Sequence, residues 1–188
     1  MNPQDHTWWL LSRSAGVVAL TLVAASTLLG LVLANGLVKS PQARKSATTF
    51  HEQTANAGLA AIGLHGVTLL GDAFLRPSAI DLLVPFTIDY RPVYTGLGIV
   101  AGYAAAILGL SFYARKRIGG KRWRKIHRAT PVVYAMALIH TLGAGTDAGS
   151  SWLRAFMLAT AIPAAVLLGR RLIAGRKAGN ISVSSTKI

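Results

Sequence analysis

The chain is organised as long apolar runs rather than as the amphipathic stripes of a soluble domain. A run of about 20 apolar residues can cross the hydrocarbon core of a bilayer as a helix. Five segments reach or approach this length, and the fourth is marginal: Trp8–Leu37, His51–Leu75, Pro92–Tyr113, Ile126–Ala144 and Trp152–Ile173. The pattern predicts an all-α membrane protein, a bundle of five transmembrane helices in the cytoplasmic membrane.

The basic residues predict the orientation of this bundle. The chain has 20 Lys and Arg against 6 Asp and Glu, and the basic residues cluster in the first loop, the third loop and the tail. Alternation of five spans places these three regions on one side, which the positive-inside rule makes the cytoplasm. The N-terminus is therefore expected outside and the C-terminus inside. This clustering between apolar runs also favours lipid contact over nucleic-acid binding.

Two further features define the expected domain organisation. Residues 1–174 are predicted to form one transmembrane domain, and residues 175–188, rich in Ser and Thr, a disordered cytoplasmic tail. The apolar stretch Leu82–Phe86 between spans two and three is too short to cross the membrane, so we expect it to lie along the interface or to cap the bundle.

The chain contains no cysteine, which excludes disulfides, thiolate-ligated clusters and covalent c-type haem attachment.

Four histidines form the candidate site. His51 and His65 are fourteen residues apart on span two, and His127 and His140 are thirteen apart on span four. These spacings correspond to roughly 21 and 20 Å along a helix, and both spans run from inside to outside. Ionisable residues within membrane spans are costly and mark functional sites, and imidazole is a standard axial ligand of haem. The spacing predicts two b-type haems, held by His51 with His127 and by His65 with His140.

The angles on an ideal helix fit one histidine pair better than the other. A spacing of fourteen returns to within about 40° of the same face, whereas thirteen leaves about 140°. Pro131 lies four residues after His127 and could kink or locally unwind the fourth span. Two alternatives stay open: the histidines hydrogen-bond neighbouring helices without any haem, or only His65 and His140 hold one.

Four arginines are candidate partners of haem propionates. Arg13 lies about one turn inside the first span, where a buried guanidinium needs a partner, and Arg91 lies on the same outer side. Arg124 and Arg128 flank His127 on the inner side. For Arg13, an equal alternative is that its side chain extends to the outer interface.

The chain resembles the ferric reductase-like transmembrane domain family over about residues 8–174. That family includes the membrane parts of ferric reductases and NADPH oxidases. The similarity lies in the histidine spacing, in the opening Trp9–Gly16 and in the segment His140–Asp147, which are like those of small actinobacterial members. The resemblance implies two b-type haems, each with two histidine ligands, and electron flow from inside to outside.

Larger family members carry a flavin and nicotinamide domain after the membrane part. No Gly-rich dinucleotide-binding turn follows span five here, so we expect the donor to be a separate cytoplasmic flavoprotein or a quinol. The acceptor is expected at the outer face. The sequence thus predicts the electron-transferring membrane component of an oxidoreductase, and leaves open whether the chain is itself an enzyme. The alternative is a haem-free or one-haem membrane anchor or scaffold subunit of a larger complex.

Overall fold

A computed structural model describes the backbone of residues 3–184 and the side chains of residues 6–175. The described backbone consists of helices and loops without a strand, which confirms the all-α class. Its helices are α1 Pro3–Ala34, α2 Pro41–Leu69, α3 Ala79–Leu83, α4 Pro92–Leu110, α5 Arg115–Ile118, α6 Gly120–His127, α7 Thr130–Ala144 and α8 Ser151–Ser184.

Three of these helices are long and apolar enough to cross a membrane, against the five that the sequence predicts. They are α1 over His6–Ala34, α4 over Pro92–Leu110 and α8 over Ser151–Gly175. Helix α2 has 29 residues but a more polar composition, and α7 has only 15 residues. Helix α2, which carries His51 and His65, and helix α7, which carries His140, do not meet these criteria.

Helix α2 begins ten residues before the predicted span. Ser40 caps its N-terminus, because the Ser40 hydroxyl accepts the backbone N–H of Ala43 and Pro41 occupies the first turn. Residues 41–50 are polar, but most of them are tolerated in helices, so the helix continues through them without a break. This polar extension places His51 within a helix rather than at its start.

The long helices pack as two antiparallel pairs, α1 with α2 and α4 with α7, and α8 packs against α1. The Tyr134 hydroxyl of α7 donates to Thr160 Oγ1 of α8 at 2.6 Å. Among the described residues, no large side chain is fully buried. The apolar contacts are therefore confined to helix seams, the largest being the cluster of Leu20, Ala24, Leu31, Tyr134, Leu153, Met157 and Ala164.

The fourth predicted span, Ile126–Ala144, is interrupted near Pro131 and divided between two helices. Helix α6 ends at His127 and α7 begins at Thr130. Pro131 lies in the first turn of α7 and has no N–H to donate to the carbonyl four residues earlier, which is that of His127. The Thr130 hydroxyl donates to that carbonyl instead, at 2.7 Å. His127 and His140 lie on different helices, so the angular restriction of a single helix does not apply to them.

The apolar stretch Leu82–Phe86 covers part of α4. It begins in the last turn of α3, whose capping Ser78 donates its hydroxyl and its backbone N–H to Asp81 and so lowers the pKa of that carboxyl group. The Tyr103 hydroxyl of α4 donates to the Leu83 carbonyl, and the Phe86 ring lies directly against Gly96. The stretch is therefore attached to the side of α4.

Helix α8 extends past the predicted end of the transmembrane domain. Its backbone is helical to Ser184, within the segment 175–188 that was predicted to be a disordered tail. The side chains after residue 175, and residues 185–188 altogether, lie outside the described part of the chain.

Candidate cofactor site

The structure brings the four histidines together in two pairs at two levels of the bundle. The ring centroids of His51 and His127 are 6.1 Å apart, with an interplanar angle of 82°. Those of His65 and His140 are 6.4 Å apart at 72°. All four residues are only partly buried, although they lie on helices that face one another. The space between the two rings of each pair is called a slot below, the inner slot lying between His51 and His127 and the outer slot between His65 and His140.

The separation of the rings is too long for a direct hydrogen bond and suits either a metal ion between them or an edge-to-face ring contact. Two metal–nitrogen bonds of about 2.0 Å in line, with about 1.1 Å from each nitrogen to its ring centroid, give a centroid separation of about 6.2 Å. Two imidazoles that hydrogen-bond directly, at about 2.9 Å between nitrogens, would bring the centroids to about 5 Å. Both observed separations agree with the first arrangement.

Two histidines alone do not complete the coordination of a bare metal ion, because protein-bound zinc takes three or four protein ligands. Within residues 6–175, no group of three or more His, Asp or Glu side chains is placed to hold a metal ion. Haem brings four equatorial nitrogens of its own and needs only two axial ligands. The paired donor set therefore fits haem iron and does not fit an isolated ion.

Three of the imidazoles are anchored to backbone carbonyls. The Nδ1 atoms of His51, His65 and His140 lie 2.9, 2.8 and 2.9 Å from carbonyl oxygens. A carbonyl only accepts, so Nδ1 carries the proton and Nε2 is left with a free lone pair. Metal-ligating histidines are oriented in this way, since the other ring N–H is donated to a carbonyl or carboxylate. The acceptors are Ser26, Ser12 and Tyr94, respectively.

A glycine lies four residues after each of these carbonyls and leaves room for the ring. A Cβ added at Gly16 would lie 3.1 Å from His65 Nδ1, and one at Gly30 would lie 3.0 Å from His51 Cε1. A Cβ at Gly98 would overlap the ring of His140. The histidines can therefore lie directly against the neighbouring backbone.

On α1 this arrangement occurs twice, as Ser12-x-x-x-Gly16 and Ser26-x-x-x-Gly30, fourteen residues apart. The step matches the fourteen residues between the two histidines of the antiparallel α2. Sequence reasoning missed these serines and glycines, although the repeated Ser-x-x-x-Gly pattern at that spacing was a detectable signal.

His127 is held differently from the other three. Its Nδ1 atom is buried without a hydrogen-bond partner. The Trp123 ring, one turn earlier on α6, stacks on the imidazole with centroids 4.9 Å apart and planes at 23°. The Leu108 carbonyl interacts with the ring without the geometry of a hydrogen bond.

The four predicted arginines are not equivalent. Arg13 forms a two-point ion pair with Asp147, with both N–O distances 2.6 Å, so a carboxylate of the chain itself engages its guanidinium. Arg91 donates to the Gly143 carbonyl at 2.5 Å, one turn after His140. Arg124 and Arg128 are exposed on and just after α6. A propionate contact for any of these arginines stays a prediction.

Comparison of the chain with protein-family models, with curated proteins and with solved structures finds no match in any of the three. The resemblance to ferric reductase-like membrane domains therefore stays a prediction.

Proposed function

We propose that the chain is a di-haem b-type cytochrome that carries electrons across the cytoplasmic membrane from inside to outside. The observation that carries this proposal is the pair of slots, each flanked by two imidazoles at 6.1 or 6.4 Å. The slots lie about 21 Å apart along α2, as counted from the fourteen residues between His51 and His65. Two cofactors at these levels would span most of the hydrocarbon core.

Haem, when bound, supplies one-electron chemistry. The four histidines would hold the two haems, the carbonyl contacts of Nδ1 fix the tautomer of His51, His65 and His140, and the helices set the spacing between the levels. Glycines at 16, 30 and 98 allow the rings to approach the neighbouring helices closely. With both axial positions taken by histidine, an outer acceptor such as ferric iron, oxygen or a redox partner would react at the edge of the outer haem.

The five-span topology is part of the proposal. Helices α1, α4 and α8 meet the length and composition of membrane spans. Helix α2 pairs with α1 and helix α7 with α4, so their more polar or shorter sequences are shielded from lipid by a partner. Residues that bind a cofactor inside a bundle are expected on such shielded helices.

The inner end of the bundle offers a surface to an electron donor. Eight basic residues lie between positions 115 and 128, without an acidic residue among them. The amphipathic α6 carries several of them and ends at His127 itself. Charge complementarity favours an acidic flavoprotein that docks next to the inner slot. A quinol reaching His51 from the bilayer is the alternative donor.

The test is the haem content of the detergent-purified chain, measured with its reduced-minus-oxidised spectrum. We expect two b-type haems per chain, and one in each of the variants His51→Ala and His65→Ala. His6→Ala is the matched control, since His6 lies outside both slots, and it should retain two. Protein made with ample haem that binds none would contradict the proposal.

The second candidate function is a one-haem membrane anchor for a larger complex. The observation that favours it is the orphaned Nδ1 of His127, which leaves the inner pair less firmly oriented than the outer pair. One haem per chain, lost in His65→Ala and His140→Ala but kept in His51→Ala, would support this function over the di-haem one.

A further inference from the structure

We propose that the two haem sites are unequal, that the inner haem has the higher reduction potential, and that Ser111 and Trp123 are the positioning residues of the inner ligand His127. This inference rests on the proposed di-haem function. It follows from the hydrogen bonding of the Nδ1 atom in each of the four histidines.

The outer site has two strongly donating ligands. Both His65 and His140 give their Nδ1–H to a backbone carbonyl, at 2.8 and 2.9 Å. Such a bond increases the basicity of the imidazole and so favours the ferric over the ferrous iron. The reduction potential of the outer haem is lowered as a result.

The inner site has one such ligand. His51 donates to the Ser26 carbonyl, but His127 Nδ1 has no acceptor. The residue on α4 that corresponds to the outer acceptor Tyr94 is Leu108, fourteen positions later. The Ser111 hydroxyl donates to the Leu108 carbonyl at 2.7 Å, and His127 Nδ1 lies outside hydrogen-bond geometry to the same carbonyl. His127 therefore lacks the bond that the other three histidines make.

Trp123 replaces the missing anchor. Its ring stacks on His127, and its Nε1–H donates to Ser111 Oγ at 3.1 Å. The Phe112 ring meets it edge-on, with centroids 5.9 Å apart, at the position that corresponds to Gly98 on the outer level. The inner imidazole is thus oriented by an aromatic stack, which fixes the ring plane without increasing its donor strength.

A redox titration of the purified, haem-loaded protein tests this inference, with His51→Ala and His65→Ala used to assign each component. We expect two components, with the inner one at higher potential. Ser111→Ala removes the acceptor of Trp123 Nε1–H, so the inner component should be weakened and the outer one should stay unchanged. Ser14→Ala, an exposed serine on α1, should move neither.

Two variants of Trp123 separate its roles. Trp123→Ala removes the stack and should weaken inner haem binding about 10- to 100-fold, the range for lost supporting contacts. Trp123→Phe retains an aromatic ring and should restore binding. The control Trp152→Ala, at the start of α8, should change neither component.

Three results would overturn the inference while leaving the proposed function intact. They are two haems of equal potential, a higher potential at the outer haem, and no effect of Ser111→Ala or Trp123→Ala on the inner component. A protein that binds no haem at all would instead overturn the proposed function.

Discussion

The three glycines beside the imidazole rings are the residues at which the slots tolerate least change. Each lies on a helix that faces a histidine and allows the ring to contact the backbone directly. At Gly98 an added methyl group would overlap the ring of His140, whereas at Gly16 and Gly30 it would meet the ring at about van der Waals distance or slightly less. Of the three positions, Gly98 is therefore expected to tolerate an added methyl group least.

The substitution Gly98→Ala should displace the His140 ring and remove the outer haem. We expect the haem content to fall from two to one per chain, with the inner component unchanged. The control is Gly102→Ala, four residues along the same helix, where the added Cβ would make only an ordinary contact with Ile62 at 3.6 Å. Equal haem content in the two variants would show that the glycine does not position the ring.

Residue types that carry chemistry could be recognised from the sequence, whereas their partners could not. His51, His65, His127 and His140 stand out because histidines are rare in apolar runs. The acceptors of three of them are backbone carbonyls, which every residue has, so no residue type marks them. Likewise, Asp147 lies 134 positions from Arg13, and no local pattern indicates that ion pair.

At the scale of the helices, the break between α6 and α7 gives His127 an orientation of its own. On one continuous helix the ring would point about 140° away from that of His140. The two-residue break, followed by Pro131 in the first turn of α7, separates the two orientations. The proline therefore terminates α6 directly after a ligand.

The substitution Pro131→Ala supplies the missing N–H, which can donate to the His127 carbonyl and join α6 to α7. We expect His127 to rotate away from His51, so that the inner haem is lost and the outer one is kept. Haem content and the visible spectrum would report this. Pro163→Ala, inside α8, is the matched control. Retention of both haems in Pro131→Ala would show that the break does not depend on the proline.

Hydropathy located the long helices but not the features that shape them. Segments Pro92–Tyr113 and Trp152–Ile173 were placed to within a few residues at their starts, because apolar runs and proline or tryptophan mark them. The first ten residues of α2 lay outside the predicted span, because a hydropathy pattern does not detect a capping serine or polar residues that favour a helix. A kink or local unwinding of the fourth segment could be anticipated from Pro131, but the exact ends of α6 and α7 could not.

At the scale of the whole molecule, each slot lies between the α1–α2 pair and the α4–α7 pair. One ring of each slot comes from α2, and the other from α7 or from the end of α6. The two histidines of α2 are fourteen residues apart, and so are the two serines of α1 whose carbonyls accept their Nδ1–H groups. Each histidine of α2 therefore lies beside its acceptor on α1. The proposed orientation places the level of His51 towards the cytoplasm.

The orientation can be tested by labelling single cysteines in intact cells, which is straightforward because the chain has none of its own. Thr87→Cys lies in the proposed outer loop and Lys121→Cys in the proposed inner one, and both positions are exposed. We expect a membrane-impermeant thiol reagent to label the first and not the second until the cells are opened. The reverse pattern would invert the topology and the direction of electron flow.

The sharing of each slot between two helix pairs has a consequence for how the protein is made. Of the four paired histidines, residues 1–110 contain only His51 and His65, one for each slot. The inner slot becomes complete only with His127, and the outer slot only with His140. Cofactor loading would therefore follow synthesis of most of the chain, with the inner site ready before the outer one, and a ribosome stalled before residue 127 would carry no site ready to retain haem.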